Sequence, residues 1–179
     1  YLGLMSQQAQ RMQSLVNDLL TLSRLEGSPL PSAQDWVPMS KLLATCESEA
    51  LELSRLLWGT PQPLDFDSGE DFALAGSQLE LHSALFNLIG NAVRYTPADK
   101  SIRVVCRLQS DGGAVVSVQD SGLGIASEHL PRITERFYRV DRSRSRDTGG
   151  TGLGLAIVKH VAQRHGAELR IDSSPGKGS

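Results

Sequence analysis

The chain lacks any run of about 18 apolar residues, the length a membrane-spanning helix needs, so no segment of it is expected to cross a bilayer. Cysteine is scarce. Cys46 and Cys106 stand 60 residues apart, which is neither a zinc-ligand spacing nor a disulfide framework. Two free thiols packed as small hydrophobes are expected instead, and the low count fits a reducing compartment. An excess of positive charge is also missing. The balance is 18 Lys and Arg against 20 Asp and Glu, a net charge of −2, which argues against a globally basic nucleic-acid binder. No signal peptide and no internal repeat are visible. An initiating Met is absent too, since residue 1 is Tyr, and we expect a piece of something longer. What is present is 179 residues, 40% of them hydrophobic, which suffices for one compact domain with an appendage and excludes wholesale disorder.

The near-neutral total conceals an asymmetry. Of 14 arginines, six (Arg132, Arg136, Arg139, Arg142, Arg144 and Arg146) fall in one short stretch. Six of 17 glycines lie between Gly122 and Gly154. Basic side chains and permissive backbone gathered together are what an anion site needs.

Periodicity organises the rest. Residues 1–26 read as one helix with two apolar rows, Met5, Met12 and Leu19 in one, Gln8, Leu15 and Leu22 in the other. Asn17, Asp18 and Arg24 fall on the side taken as polar. Such a stripe needs a partner, either the rest of this domain or a bundle seam. Gly27-Ser28-Pro29-Leu30-Pro31-Ser32 is a linker, and the domain boundary is placed there: 1–31, then 32–179. Helices are expected over 39–57, 77–95, 127–135 and 152–165. Extended segments are expected at 64–67, 71–75, 101–109, 114–119 and 167–172, with Asp111-Gly112-Gly113 as a hairpin turn. Gly166 suits a helix C-cap. Pro175-Gly176-Lys177-Gly178 reads as a turn into one more strand beyond Ser179. The composition is α/β, and the hairpin implies a mixed rather than a doubly wound sheet.

Three stretches carry chemistry. Asp120-Ser121-Gly122-Leu123-Gly124-Ile125 follows a strand directly, and its carboxylate can meet a buried donor while the glycines admit a flat ligand. Alone, it also fits an ordinary tight turn. Gly149-Gly150-Thr151-Gly152-Leu153-Gly154-Leu155 opens a helix whose free N–H groups suit a phosphate. It is not a dinucleotide fingerprint, because Leu155 stands where the last glycine belongs, and Gly176-Lys177 is not a Walker A loop. Asn87 and Asn91 are four apart on one helix face, with Arg94 near it and Tyr95 beside it. Carboxamide oxygens so placed suit Mg²⁺ shared with phosphates, and surface asparagines remain the alternative.

In this order the stretches resemble the ATP-binding domain of sensor histidine kinases, within the superfamily that includes gyrase, Hsp90 and MutL. Phe86–Pro97 is similar to the N box, Asp120–Ile125 to the G1 box, Glu135–Asp141 to the F box, and Gly149–Lys159 to the G2 box. The match covers about residues 37–179, and residues 1–26 resemble the second helix of the dimerisation and histidine-phosphotransfer hairpin. Leu22–Glu26, Thr134–Asp141 and Thr148–His160 look like the phosphate-regulon branch of these kinases.

The resemblance implies a Bergerat-type two-layer sandwich, a mixed sheet of about five strands covered on one face by helices. It implies that ATP is bound by Asn87, Asn91, Arg94, Tyr95, Asp120, Gly122, Gly124, Ile125, Phe137, Arg139, Gly150, Thr151, Gly152, Leu153, Gly154 and Leu155. Asp120 would take the adenine amino group. Asn91, with Asn87 beside it, would coordinate Mg²⁺. Residues 138–151 would form a lid hinged on Phe137. Where ATP-hydrolysing relatives carry a water-activating Glu, this chain has Asn87, and a carboxamide cannot take a proton. That favours holding ATP for transfer to a histidine, in line, with a response regulator as the onward acceptor. None of His82, His129, His160 and His165 stands in an acceptor context, so no catalytic nucleophile is expected in the chain. The implied partners are ATP, a histidine-bearing hairpin of the same or a partner subunit, a response regulator and a second copy in the full-length protein. No nucleic acid is implied, and a membrane only through segments preceding residue 1. The rival readings are a protein-interaction module that has lost ATP chemistry and a gyrase- or Hsp90-type ATPase.

Overall fold

Ile102, Val104 and Cys106 alternate with Arg103, Val105 and Arg107, and that alternation decides how the layers stack. In the computed structural model, which describes residues 2–140 and 150–179, this segment is strand β4 (Ile102–Leu108). Its apolar row is fully buried. Its outer row carries ion pairs: Arg103 Nε lies 3.2 Å from Asp65, and Arg107 grips Asp67 with both terminal nitrogens. Strand β2 (Leu64–Asp67) runs parallel to β4 in the register Leu64↔Ile102, and β5 (Ala114–Asp120) runs antiparallel to it, Ile102 facing Asp120. The sheet is mixed, as expected, but among the described residues it holds three strands rather than about five. The remaining two, β1 (Trp36–Pro38) and β3 (Ala73–Ala75), pair antiparallel as a separate ribbon. The sequence reading missed β1, which is only three residues long.

Helices α2 (Met39–Trp58) and α3 (Gln78–Tyr95) cover the apolar face of the sheet. Met39, Leu42, Leu43, Cys46 and Ala50 of α2 meet Leu85, Ile89, Ala92 and Val93 of α3 over the β4 row. The two buried thiols belong to this core, and burial pushes Cys46 up to about 12 and Cys106 to about 11. Ser77 caps α3 by accepting from the Glu80 amide, so the acidic first turn and the cap agree.

Helix α4 (Gly154–Arg164) packs beside α3. It ends with the Ala167 amide donating to Ala162 O (2.8 Å) and the Gly166 amide to Gln163 O (3.2 Å), a Schellman closure at the expected glycine. Helix α1 (Leu2–Gly27) lies on α4: Leu22 and Leu25, each 4% exposed, cluster with Leu153, Ile157 and Val161. Its other row, with Met5, Met12 and Leu19, remains exposed. Arg164 pins its end, donating to Leu25 O (2.7 Å), Ser28 O (3.0 Å) and Pro29 O (2.6 Å) and pairing with Glu80 at 2.9 Å. Arg136 adds an ion pair to Glu26.

Two expectations are corrected. Residues 127–135 form successive turns, not a helix: Pro131 has no N–H to donate, and the bonds run from Leu130 to Ser127 O and from Arg132 and Ile133 to His129 O. Residues 167–172 form no strand, because among the described residues no ladder neighbour flanks them. The chain instead turns at 175–178 and returns to β5 through the Asp120 amide and Ser179 O (2.9 Å).

Candidate functional site

The sequence-predicted residues converge around the C-terminal end of α3 in two groups. The first surrounds Asp120, the last residue of β5. Its Oδ1 accepts from the Gly122 amide at 2.8 Å. Burial raises the Asp120 carboxyl above the usual range, and the amide bonds only partly offset this. Gly122 packs so closely that a Cβ there would lie 2.5 Å from Tyr95 O and 3.1 Å from Thr96 Oγ1. The Thr96 hydroxyl is buried beside Asp120 and helps hold its carboxyl down against the effect of burial. Gly124 has φ +68, and a Cβ on it would meet Ser174 O at 1.9 Å. No L side chain fits that turn. The turn is held by the Ile125 amide donating to Ser173 Oγ (2.7 Å) and the Gly176 amide to Leu123 O (2.7 Å).

The second group gathers at the start of α4. Gly152, at φ +78, cannot be helical, so the helix begins two residues later than the periodicity suggests. It begins at Gly154 without a side-chain cap, which leaves first-turn amides open to an anion. A Cβ on Gly154 would stand 2.6 Å from Asn87 Oδ1, so α3 and α4 touch there as only a glycine allows. Asn87 Nδ2 donates to Ser83 O (2.8 Å). The Asn91 side chain, one turn on, makes no hydrogen bond among the described residues. The Tyr95 hydroxyl approaches Gly150, and the Arg139 side chain runs along Gly152. Phe137 has φ +63, an outlier for a bulky residue that costs roughly 1–3 kcal/mol. Its amide donates to Gly152 O (2.9 Å), which clasps this segment to the glycine-rich turn.

Two sequence readings change. The Leu153 side chain is fully buried against α1, so only its backbone faces the crevice. Asp18 is not on a solvated face: the Thr151 hydroxyl donates to its Oδ2 at 2.5 Å, and Arg94 lies within electrostatic reach. Burial raises the Asp18 carboxyl and draws the Arg94 guanidinium down, each opposed by the other's charge. The spacing Leu15, Asp18, Leu22, Leu25 was the available signal, and it was outweighed by the residue's polarity. The expected lid at 138–151 falls largely outside the described residues: positions 141–149, with Arg142, Arg144, Arg146 and Gly149, are not among them, while Leu155 is half-buried at the start of α4.

Two open hollows lie elsewhere. One, of about 330 Å³, sits between Leu130, Lys159, Gln163 and Leu169, and the other, of about 300 Å³, between Leu42, Thr45, Gln78 and His82. Neither is lined by a candidate residue.

A helical layer on one face of a mixed sheet, a carboxylate at a strand end and an uncapped helix start are the parts of a nucleotide-binding α/β domain. Comparison narrows this. Residues 76–179 match the histidine kinase-, DNA gyrase B- and HSP90-like ATPase family, and the chain belongs to it. It is 52% identical over 176 residues to the phosphate regulon sensor protein PhoR of Pseudomonas aeruginosa, covering 98% of this chain and 39% of that one. It is 40% identical over 174 residues to the sensor histidine kinase RppB of Synechocystis, covering 96% and 37%. The chain thus spans about two fifths of these relatives. The crystal structure of full-length ShkA in complex with AMPPNP superposes with a TM-score of 0.72 at 25% identity, over 93% of this chain and 34% of that one. The chain is an ATP-binding domain of the sensor histidine kinase kind.

Proposed function

We propose that residues 32–179 are the catalytic domain of a protein-histidine kinase and that residues 1–31 are the second helix and linker of its dimerisation and phosphotransfer hairpin. In this reading Asp120 accepts a hydrogen bond from the adenine amino group, with Gly122, Gly124 and Ile125 forming the base pocket. The phosphates lie along Gly150, Thr151, Gly152, the Leu153 backbone, Gly154 and Leu155. Arg94, Tyr95 and Arg139 stand beside them, and Phe137 hinges the covering segment. The observation that carries the reading is the uncapped start of α4 set directly against Asn87.

The donor set fits Mg²⁺: the Asn91 carboxamide has no hydrogen-bond partner among the described residues, and Asn87 lies one turn away on the same face. When bound, the ion neutralises phosphate charge. The chain itself holds and orients ATP and supplies no base for water, since position 87 is a carboxamide. The acceptor is a histidine outside these residues. His82 is engaged with Glu49 (2.7 Å), His129 with Tyr138 (2.8 Å), and His165 with the Ser77 amide. Onward transfer is to an aspartate of a response regulator. The full-length protein is a homodimer held in the cell membrane by segments outside these residues; none of the described helices is long and apolar enough to cross a membrane. The likeness to PhoR supports phosphate starvation as the signal.

Calorimetric titration tests this. The chain is expected to bind ATP with Mg²⁺, and Asp120→Asn to lose about 10–150-fold in affinity, since it replaces one charge-assisted bond. Adding a histidine-bearing hairpin domain and γ-labelled ATP is expected to give phosphohistidine. Absence of nucleotide binding at millimolar ATP refutes the reading.

A further inference from the structure

We propose that Asp18 is an internal competitor for the phosphates of the bound nucleotide, a carboxylate that α1 delivers onto Thr151 beside Arg94 and that a polyphosphate must displace. The inference rests on the nucleotide reading and adds to it a residue from the helix outside the ATP-binding layers.

The packed seam of α1 is Leu15, Asp18, Leu22 and Leu25, spaced three, four and three. Asp18 is the one charge in that seam. A carboxylate placed among leucines is costly unless something pays in return. Here the return comes from the nucleotide-binding loop. The Thr151 hydroxyl donates to Asp18 Oδ2 (2.5 Å) while accepting from the Leu153 amide (3.2 Å), so its orientation is set from both sides. Thr151 immediately precedes Gly152 and the uncapped start of α4, where an anion is favoured. Arg94, whose guanidinium folds over Gly90 on α3, adds its positive field. A hydroxyl donor, a helix start and a guanidinium are also what a phosphate oxygen seeks. Two anions cannot share them without strong repulsion.

Linkage then fixes the consequence. If docking of α1 weakens polyphosphate affinity by a factor, polyphosphate weakens docking of α1 by the same factor. The C-terminal end of α1 stays tied by Arg164 to three carbonyls, so the segment released is the one carrying Asp18 and the exposed Met5, Met12 and Leu19 row. Nucleotide occupancy and helix position are thereby coupled through one side chain.

The test titrates the full 179-residue chain and Asp18→Asn with ATP, ADP and adenosine in the same buffer. The variant is close in shape and retains an acceptor for Thr151. The expected result is about tenfold tighter binding of ATP and ADP by the variant, with adenosine unchanged, since adenosine has no phosphate to compete. Hydrogen exchange supplies a second readout: ATP is expected to speed exchange of the α1 amides between Leu15 and Leu25 in the parent chain, and less so in the variant. Unchanged or weaker ATP binding by Asp18→Asn, or an equal gain for adenosine, overturns the proposal. If the parent chain binds none of the three ligands, the nucleotide reading itself fails, an outcome distinct from ATP binding that ignores residue 18.

Discussion

Replacing Gln62 with methionine tests what holds the site end of α3 in place. The last carbonyls of a helix have no partner within it, and those of α3 end inside the protein. Gln62, 3% exposed, supplies the missing donor: its Nε2 donates to Thr96 O at 2.6 Å. Trp58 Nε1 donates to Val93 O at 3.0 Å. Gln62 is itself fixed by Ser54, which is fully buried: the Ser54 hydroxyl donates to Gln62 Oε1 (3.1 Å) and accepts from the Gln62 amide (2.8 Å). Methionine preserves the volume and removes both polar ends. Thr96 O then loses its short bond, and the Ser54 proton loses its acceptor. Val93 O keeps Trp58.

A buried polar group left unsatisfied costs about 1–3 kcal/mol, so two of them, one only partly orphaned, cost about 3 kcal/mol. For a chain of this size each kcal/mol lowers Tm by about 2–4 °C, and Gln62→Met is therefore expected to melt about 6–12 °C below the parent. Thermal melts followed by circular dichroism, with urea titrations to confirm an unchanged m-value, make the measurement. Ser54→Ala combined with Gln62→Met is expected to cost less than the sum of the two, because they share one bond. Gln62→Glu sharpens the test. A carboxylate facing Thr96 O is worse than methionine at neutral pH. Its folded-state pKa lies above the unfolded value, so the deficit shrinks as pH falls and a protonated carboxyl can donate again. A Gln62→Met variant that melts within about 1 °C of the parent, with additive behaviour in the double variant, refutes the reasoning.

Two further predictions follow from the base-side group. Gly124→Ala forces a Cβ to 1.9 Å from Ser174 O at φ +68, so the left-handed cost of about 1–2 kcal/mol adds to a backbone clash. Melting is expected to fall by at least 4 °C, and nucleotide titration should show weaker binding; a normal Tm with normal affinity contradicts the turn described. Asp120→Asn should separate binding from stability. Burial raises the Asp120 carboxyl, so between its ordinary and raised values the folded state binds more protons than the unfolded one, and stability falls as pH rises through that window. Asparagine keeps an acceptor for the Gly122 amide without the charge. The variant is expected to melt at or above the parent at pH 7.5, with the gap narrowing toward pH 5; a parent that melts higher at pH 7.5 counts against a buried charged Asp120.

What could be read from the sequence was whatever depends on local period. The Ile102, Val104, Cys106 row, the boundaries of α3 to within a residue and the glycine closing α4 all follow from spacings inside a few turns or pleats. What could not be read depends on a neighbour remote in the chain. Residues 167–172 alternate as a strand does, yet a strand exists only beside a ladder partner, and none of the described residues offers one. Thr96 gave no pattern at all, because a hydroxyl buried beside a carboxylate becomes conspicuous only once the fold is known. Asp18 is the most instructive case. Helix α1 carries two apolar rows, and nothing within its own residues says which will meet α4, since that choice is made by Leu153, Ile157 and Val161 far along the chain. Once Leu15, Leu22 and Leu25 are chosen, helical geometry forces Asp18 into the seam. Local polarity and the packed face then disagree at one position, and disagreements of that kind persist where a second requirement maintains them. Among the described residues, those that answer the carboxylate are Thr151 and Arg94, both drawn from the crevice proposed to hold phosphate.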